Sequence, residues 1–341
     1  MKAALLREIG KPLSIEDIDV PDIGPHEVLI KTHTCGICRT DIHVQEGLAY
    51  VPNLPHIPGH EPAGVIAKLG DQVKGLTVGQ RVVPHLFMTC GHCYYCRTGQ
   101  DAQCTNVDGI IGVTRPGAFA EYFKAPARNI LPLPDAVPFE IGGLVSCAVI
   151  TAVHAYRRAR LSVSDTAVIV GSGGIGQILV QILKAAGCRV AALSRSQASI
   201  DIAKSVGADV IAKFSDHDAV DKIKQLSGRD GAHCVFECVG TADTMKLASQ
   251  CICRGGQIIV IGEEADFPAI DTVNIAQREI EIIGSRNGSS QDALDALAMM
   301  ADGIINPPII KRYPLDQVNE ALDFVRSGQS HGRVVINVAS Q

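Results

Sequence analysis

From about residue 151 the chain keeps returning to one pattern. A short run of apolar, largely β-branched residues gives way to a stretch in which apolar positions recur every three or four residues. The runs TAVIV, RVAALS, ADVIA, HCVFE, QIIVI and IEIIG are six candidate strands. The helical stretches between them predict a parallel, doubly wound sheet over 151–285. Residues 1–150 have a different texture. Runs such as HEVLIKTHT, GVIAKLG and QRVVPH are broken by Gly and Pro, as expected of an all-β unit with irregular loops. Near the end, LDQVNEALDFVRSG places Val318, Leu322 and Val325 on one helical face and stops at Gly328.

Composition narrows the classes. With 341 residues, 46% apolar and 20% charged, the chain can bury two cores. No apolar run reaches the roughly 20 residues of a membrane-spanning helix, and the N-terminal MKAALLREIGKPL has no signal-peptide pattern, so a cytoplasmic location without membrane contact is expected. A net charge of -5 without a basic block argues against nucleic acid and leaves small molecules as the expected partners. Twelve cysteines in such a chain read better as metal ligands and buried thiols than as disulfides.

Phosphate chemistry is signalled by VGSGGIGQ, which puts Gly171, Gly173 and Gly176, with Gly174 and Ile175 between them, where a buried strand turns into an amphipathic helix. Glycines there permit the tight turn and the close approach of backbone N–H groups to a pyrophosphate at the helix N-terminus. The second strand should end beside the adenosine ribose. An acid there binds the hydroxyls of NAD and repels the 2′-phosphate of NADP. The sequence instead offers Ser194, Arg195 and Ser196, which favours NADP(H) over NAD(H).

Cys90, Cys93, Cys96 and Cys104 follow a Cx2Cx2Cx7C spacing. Four thiolates on short loops suit a closed, structural zinc site. An iron–sulfur cluster and disulfides are the competing readings, the first disfavoured by the last interval and the second by the expected compartment. Candidates for a second site are scattered: Cys38, His60 with Glu61, and Cys147. Spacing alone does not join them, but two thiolates and an imidazole would leave an open zinc position suited to polarising an alcohol or carbonyl oxygen.

In order and interval, CGICRTDIH, GHEPAG, CGHCYYCRTGQDAQC, SCAVITA and GSGGIG resemble the zinc-dependent alcohol dehydrogenases of the medium-chain dehydrogenase/reductase family, over essentially the whole chain. The resemblance implies an α/β protein, in which a co-chaperonin-like β-barrel catalytic domain (1–150, completed by 286–341) accompanies a Rossmann domain (151–285). It implies two zinc ions per chain. Cys38, His60 and Cys147 become ligands of the catalytic one, with Glu61 as a transient fourth; Cys35 matches a non-ligand position. Asp41 corresponds to the carboxylate that orients the zinc-bound histidine, Thr40 and His43 to a proton relay, Arg39 and Arg333 to cofactor pyrophosphate contacts, and Thr151 to a residue near the nicotinamide. Leu48, Leu86 and Ile110 fall roughly around the substrate pocket.

The expected reaction is hydride transfer between a medium-sized hydrophobic alcohol and its aldehyde or ketone. Polyol dehydrogenase or NAD-dependent alcohol dehydrogenase activity is the alternative within the class, and a zinc-stabilised nucleotide-binding sensor the alternative outside it. Retention of both the ligand and relay residues favours an enzyme. A homotetramer, with a dimer second, is expected from the apolar last strand EIEIIGS.

Overall fold

A computed structural model describes residues 1–48, 51–264 and 266–339. The chain forms two compact units. One comprises 1–150, 288–302 and 309–341; the other comprises 151–287 and 303–308.

The first unit is built around β1 (Glu27–Ile37). After it come α1 (Arg39–Glu46), β2 (Glu61–Leu69), β3 (Arg81–Pro84), β4 (Tyr122–Pro126) and β5 (Ile130–Pro132). Strand β1 pairs antiparallel with both β2 and β4, then continues β2–β3–β5 across the sheet. Ile30, Ile66, Ile111 and Phe119 are fully buried in its core. Helix α2 (Ala148–Arg158) begins in this unit and continues into the second.

The second unit fulfils the repeating pattern of the sequence. Its strands are β6 (Thr166–Val170), β7 (Arg189–Ser194), β8 (Val210–Lys213), β9 (Ala232–Glu237), β10 (Ile252–Val260) and β11 (Glu281–Gly284). All pair in parallel, in the order β8-β7-β6-β9-β10-β11. That is the doubly wound order, which reverses between the first and fourth strands. Helices α3 (Gly174–Ala185), α4 (Gln197–Ser205), α5 (Ala219–Ser227) and α6 (Ala242–Cys251) connect them. Every residue of β6 is buried, and α3 buries Ile178, Leu179, Ile182 and Leu183 along one face.

The chain then returns to the first unit through α7 (Ser290–Ala301), β12 (Ile309–Pro314), α8 (Val318–Arg326) and β13 (Arg333–Asn337). Strand β13 lies antiparallel to β1, with Val334 opposite Ile37 and Asn337 opposite Thr34. Among the described residues no single helix is long and apolar enough to cross a membrane.

Candidate metal centres and dinucleotide turn

The end of β1, the N-terminus of α1, the start of β2 and the start of α2 deliver one cluster. Donor atoms of Cys38, His60, Glu61 and Cys147 all lie within 4.8 Å of one another. Local rules explain why. Cys38 is the N-cap of α1, where Asp41, at the third helical position, accepts a hydrogen bond from the Cys38 N–H at 2.9 Å. Gly59 has φ +99°, and a Cβ there would come within 2.7 Å of the Phe119 backbone nitrogen, so glycine sets the turn that presents His60. Gly36 is needed for a different reason: a Cβ on it would overlap the Glu61 carboxylate.

His60 shows the fit to a metal. Its Nδ1 lies 2.8 Å from Asp41 Oδ1, an oxygen that also accepts from the Gly59 N–H at 3.2 Å. With Nδ1–H donating, Nε2 keeps its lone pair, and Nε2 is buried with no hydrogen-bond partner. Burial opposes a charged ring, but the charge and hydrogen bond of Asp41, together with Cys38, hold the His60 pKa well above its ordinary value. The same attraction is available to a cation at Nε2. The adjoining thiols are unequal: interaction with Cys147, then with His60, outweighs burial and draws Cys38 well down, whereas Cys38 and burial push Cys147 up. A thiolate, a second thiol and an oriented imidazole form a donor set suited to zinc with a position left open.

Glu61 is fully buried. Burial pushes its carboxyl up to about 7 against the pull of Arg333. Arg333 Nη2 pairs with Glu61 Oε2 and donates to the Ile37 carbonyl at 3.3 Å, while Glu61 Oε1 has no partner. In this structure, then, the Arg333 guanidinium is engaged by Glu61. An acid directly after the ligand histidine and an arginine opening the last strand were both visible in the sequence; their pairing depends on β13 lying beside β1.

Thr40 and His43, three residues apart on α1, share a helix face and are half-buried. The Cys38 sulfur lies 3.8 Å from Thr40 Oγ1. Arg39 is exposed on the same helix. Cys35 stays away from the cluster, as a fully buried residue of β1 whose thiol is pushed up by burial. Leu86 and Ile110 are buried in one core, with the Ile111 N–H bonded to the Leu86 carbonyl at 3.0 Å; Leu48 is exposed.

The second cluster consists of four thiols. The sulfurs of Cys90, Cys93, Cys96 and Cys104 are separated by 3.5 Å (93–96), 3.6 Å (90–104) and 3.9 Å (90–96 and 93–104). Zinc–sulfur bonds of about 2.3 Å require tetrahedral edges of about 3.8 Å, so the thiols match a closed zinc site, and none of them is in a disulfide. N–H groups of Cys96 and Thr105 draw Cys93 down to about 6, and burial pushes Cys96 up to about 12.

In the second unit the glycine-rich turn has the expected geometry. Gly171 has φ +98°, and a Cβ there would lie 2.6 Å from the Val239 side chain; one on Gly176 would strike the Gly171 carbonyl. Around Gly173, by contrast, there is open space, and the N-terminus of α3 has no side-chain cap. Gly174 and Ile175 open that helix, leaving its first amides for an anion. The buried Ser172 hydroxyl beside them has no partner. Ser194 is buried at the end of β7, Arg195 is exposed, and Ser196 caps α4 by accepting from the Ser199 N–H at 3.2 Å. Thr151 is buried on α2.

Sequence reasoning missed Glu237, at the end of β9. Its buried carboxylate accepts from the N–H groups of Val239 and Gly240 at 2.9 Å, fixing the loop against which Gly171 packs. An acid ending the apolar run HCVFE was its only signal.

Comparison with known proteins agrees with this geometry. Residues 24–135 match the alcohol dehydrogenase GroES-like domain and 174–302 the zinc-binding dehydrogenase family. An alcohol dehydrogenase of Geobacillus stearothermophilus is 36% identical, covering 99% of this chain and 100% of its own. An NAD-dependent alcohol dehydrogenase of Sulfurisphaera tokodaii is 31% identical, covering 98% and 99%. Among solved structures, the alcohol dehydrogenase of Aeropyrum pernix superposes with a TM-score of 0.91 at 30% identity, covering 99% of this chain and 100% of that one.

Proposed function

The chain belongs to the zinc-binding, medium-chain alcohol dehydrogenases, and on that premise we propose that it interconverts a medium-sized hydrophobic alcohol and its aldehyde or ketone, preferring NADP(H). The observation that carries the proposal is the convergence of Cys38, His60 and Cys147, with the unpartnered His60 Nε2 facing the thiols. Cys38, His60 and Cys147 would hold a zinc ion, which would supply a Lewis acid for an alcohol or carbonyl oxygen beside a nicotinamide that would exchange the hydride.

The protein's own groups do the rest. Asp41 fixes the ring and tautomer of His60. Arg333 pairs with one oxygen of Glu61, leaving the other, which has no partner, as an occasional ligand. The Thr40 hydroxyl takes the proton that an alcohol loses and passes it toward His43, the imidazole that shares its helix face. The first amides of α3 would receive pyrophosphate oxygens; the family resemblance gives Arg39 and Arg333 a pyrophosphate contact and Thr151 a place near the nicotinamide. Buried Leu86 and Ile110 supply an aliphatic lining without a charged anchor.

The cofactor preference rests on the absence of an acid after β7, where Ser194 and Arg195 stand. We further place the protein in the cytoplasm as a homotetramer, with a dimer second. Strand β11, at the sheet edge with Ile282 exposed, is the surface for pairing. The deciding experiment measures zinc per chain and screens alcohols and carbonyls with both nicotinamide cofactors. Two zinc ions with turnover of aliphatic or aromatic alcohols supports the reading. A protein that binds nucleotide and zinc but turns nothing over would instead be a sensor.

A further inference from the structure

A cleft of about 110 Å³ opens where the strands of the parallel sheet begin, at the end opposite the Gly171–Gly176 turn. Arg160, Arg229, His233, Arg254 and Gln257 line it. We propose that this cleft binds phosphate, inorganic or carried by a monoester, at a site separate from the dinucleotide turn.

The charge balance carries the argument. Arg160 pairs with Glu281, which Gln257 also holds by a 3.0 Å hydrogen bond. Arg254 and Arg278 share one carboxylate, Asp230, at the long distances of 3.8 and 4.0 Å. Arg189 spends its guanidinium on the carbonyls of Ser164, Leu226 and Ser227. Arg229 has no carboxylate within ion-pair distance among the described residues. His233 offers the anion nothing, since its Nδ1 accepts from the Thr166 N–H at 3.0 Å and its Nε2 faces Asp165 at 3.2 Å. Of these five guanidiniums, three pair with two carboxylates, Glu281 and Asp230, while Asp165 is taken by His233. Among the described residues Arg189 and Arg229 pair with no carboxylate, in a protein whose net charge is -5.

The excess is felt locally. Burial holds the His233 pKa below its ordinary value, Asp165 opposes that shift, and the charges of Arg229 and Arg189 add to it. A trapped oxyanion relieves this repulsion, and guanidinium forks match phosphate oxygens in pairs. Size selects the ligand class, because pockets for drug-sized molecules begin at roughly 300 Å³ and this cleft accommodates only an ion or a single phosphate group. Occupancy would tie the second residue after α5, the turn within β10 and the second residue after α2 to one anion, and so stabilise the second unit.

The test uses the zinc-loaded protein saturated with cofactor, so that the dinucleotide turn is filled, at ionic strength held constant with chloride. Titration calorimetry and thermal unfolding are followed with inorganic phosphate and, separately, with glycerol 2-phosphate. Saturable binding of one anion per chain with a rise in Tm is expected. Arg229→Gln with Arg254→Gln should weaken it at least about tenfold, while Lys74→Gln and the basal turnover stay unchanged. Tighter binding of one anion identifies the source; the site stands in either case. No saturable binding of either, or equal binding by the double variant, overturns the proposal. Should the double variant fail to fold, Arg229→Gln alone breaks no ion pair and must still weaken binding.

Discussion

Asp41 holds His60 by a 2.8 Å contact between Oδ1 and Nδ1, and through its other oxygen the same carboxylate accepts from the N–H of Cys38, the residue that opens α1. One side chain therefore caps a helix and sets two of the donors of the Cys38–His60–Glu61–Cys147 cluster. Local folding and metal affinity are coupled through it.

Asp41→Asn should accordingly do two things at once. Replacing the carboxylate by an amide weakens the hold on the His60 tautomer, and changes to partners of this kind typically lower metal affinity or activity roughly 10- to 100-fold. The weakened cap should cost about 1 kcal/mol of stability. Competitive zinc titration and thermal unfolding of the same variant check both. Loss of stability with unchanged zinc affinity would show that Asp41 acts only as a cap.

The two zinc sites should separate by consequence. Cys93→Ala opens a four-thiolate cluster whose binding energy is folding energy, so it should lower Tm sharply and leave about one zinc per chain. Cys38→Ala should abolish turnover while the fold persists, since β1 and β2 remain paired without it. Elemental analysis, circular dichroism and steady-state rates on both variants decide. Equal loss of folding in the two would refute the division of roles.

Much of this was legible in the sequence, for identifiable reasons. The four inner strands of the second unit announced themselves because strands buried on both faces read as continuous apolar runs, whereas the edge strands β8 and β11 are shorter and only partly buried. The four cysteines could be grouped from spacing because all lie within 15 positions, 90–104. Cys38, His60 and Cys147 could not, because their meeting depends on β1, β2 and the turn before α2 packing together; the resemblance, not the spacing, supplied the link. That resemblance ties Arg333 to the cofactor, and the structure adds a contact that the resemblance did not supply, with Glu61. The pairing is a property of β13 lying beside β1, a contact between the ends of the chain that no local pattern encodes.

Thr40→Ala should slow hydride transfer by roughly 10² to 10⁴, the usual worth of positioned acid–base assistance. His43→Gln should cost less, because water can replace an imidazole at the outer end of the relay. Single-turnover measurements of cofactor absorbance isolate the step. A Thr40→Ala protein with native single-turnover rates would remove Thr40 from the relay.

Acid should destabilise the fold through His56. This ring is buried, with Nε2 3.3 Å from the Gly112 carbonyl, and burial holds its pKa below 6.5 despite opposing pulls from Gly112 and Asp41. The unfolded chain then binds more protons than the folded one between the lowered value and 6.5. The stability contributed by the neutral ring is complete above about pH 6.5 and is lost as pH falls toward and through the folded pKa. His33 and His233 are shifted in the same direction. In zinc-loaded protein, His56→Gln should lose less Tm than the parent between about pH 7.5 and 5.5. Equal losses would exclude His56 as a contributor.

Cofactor choice turns on the end of β7. A 2′-phosphate carries up to two negative charges and needs donors, while an adjacent carboxylate would repel it. Ser194 and Arg195 satisfy both conditions, and the next residue, Ser196, already spends its hydroxyl on capping α4. Discrimination should therefore rest mainly on Arg195 and on the missing acid. The Sulfurisphaera relative, named as NAD-dependent, shows that the scaffold serves the other cofactor. The comparison is kcat/KM with each cofactor in the native protein and in Ser194→Asp with Arg195→Ala. The native protein should favour NADP(H), and the double substitution should erase or reverse the ratio by raising KM for the phosphorylated cofactor with little change in kcat. A native preference for NAD(H) would refute the assignment, and a ratio unmoved by the double substitution would locate discrimination elsewhere in the second unit.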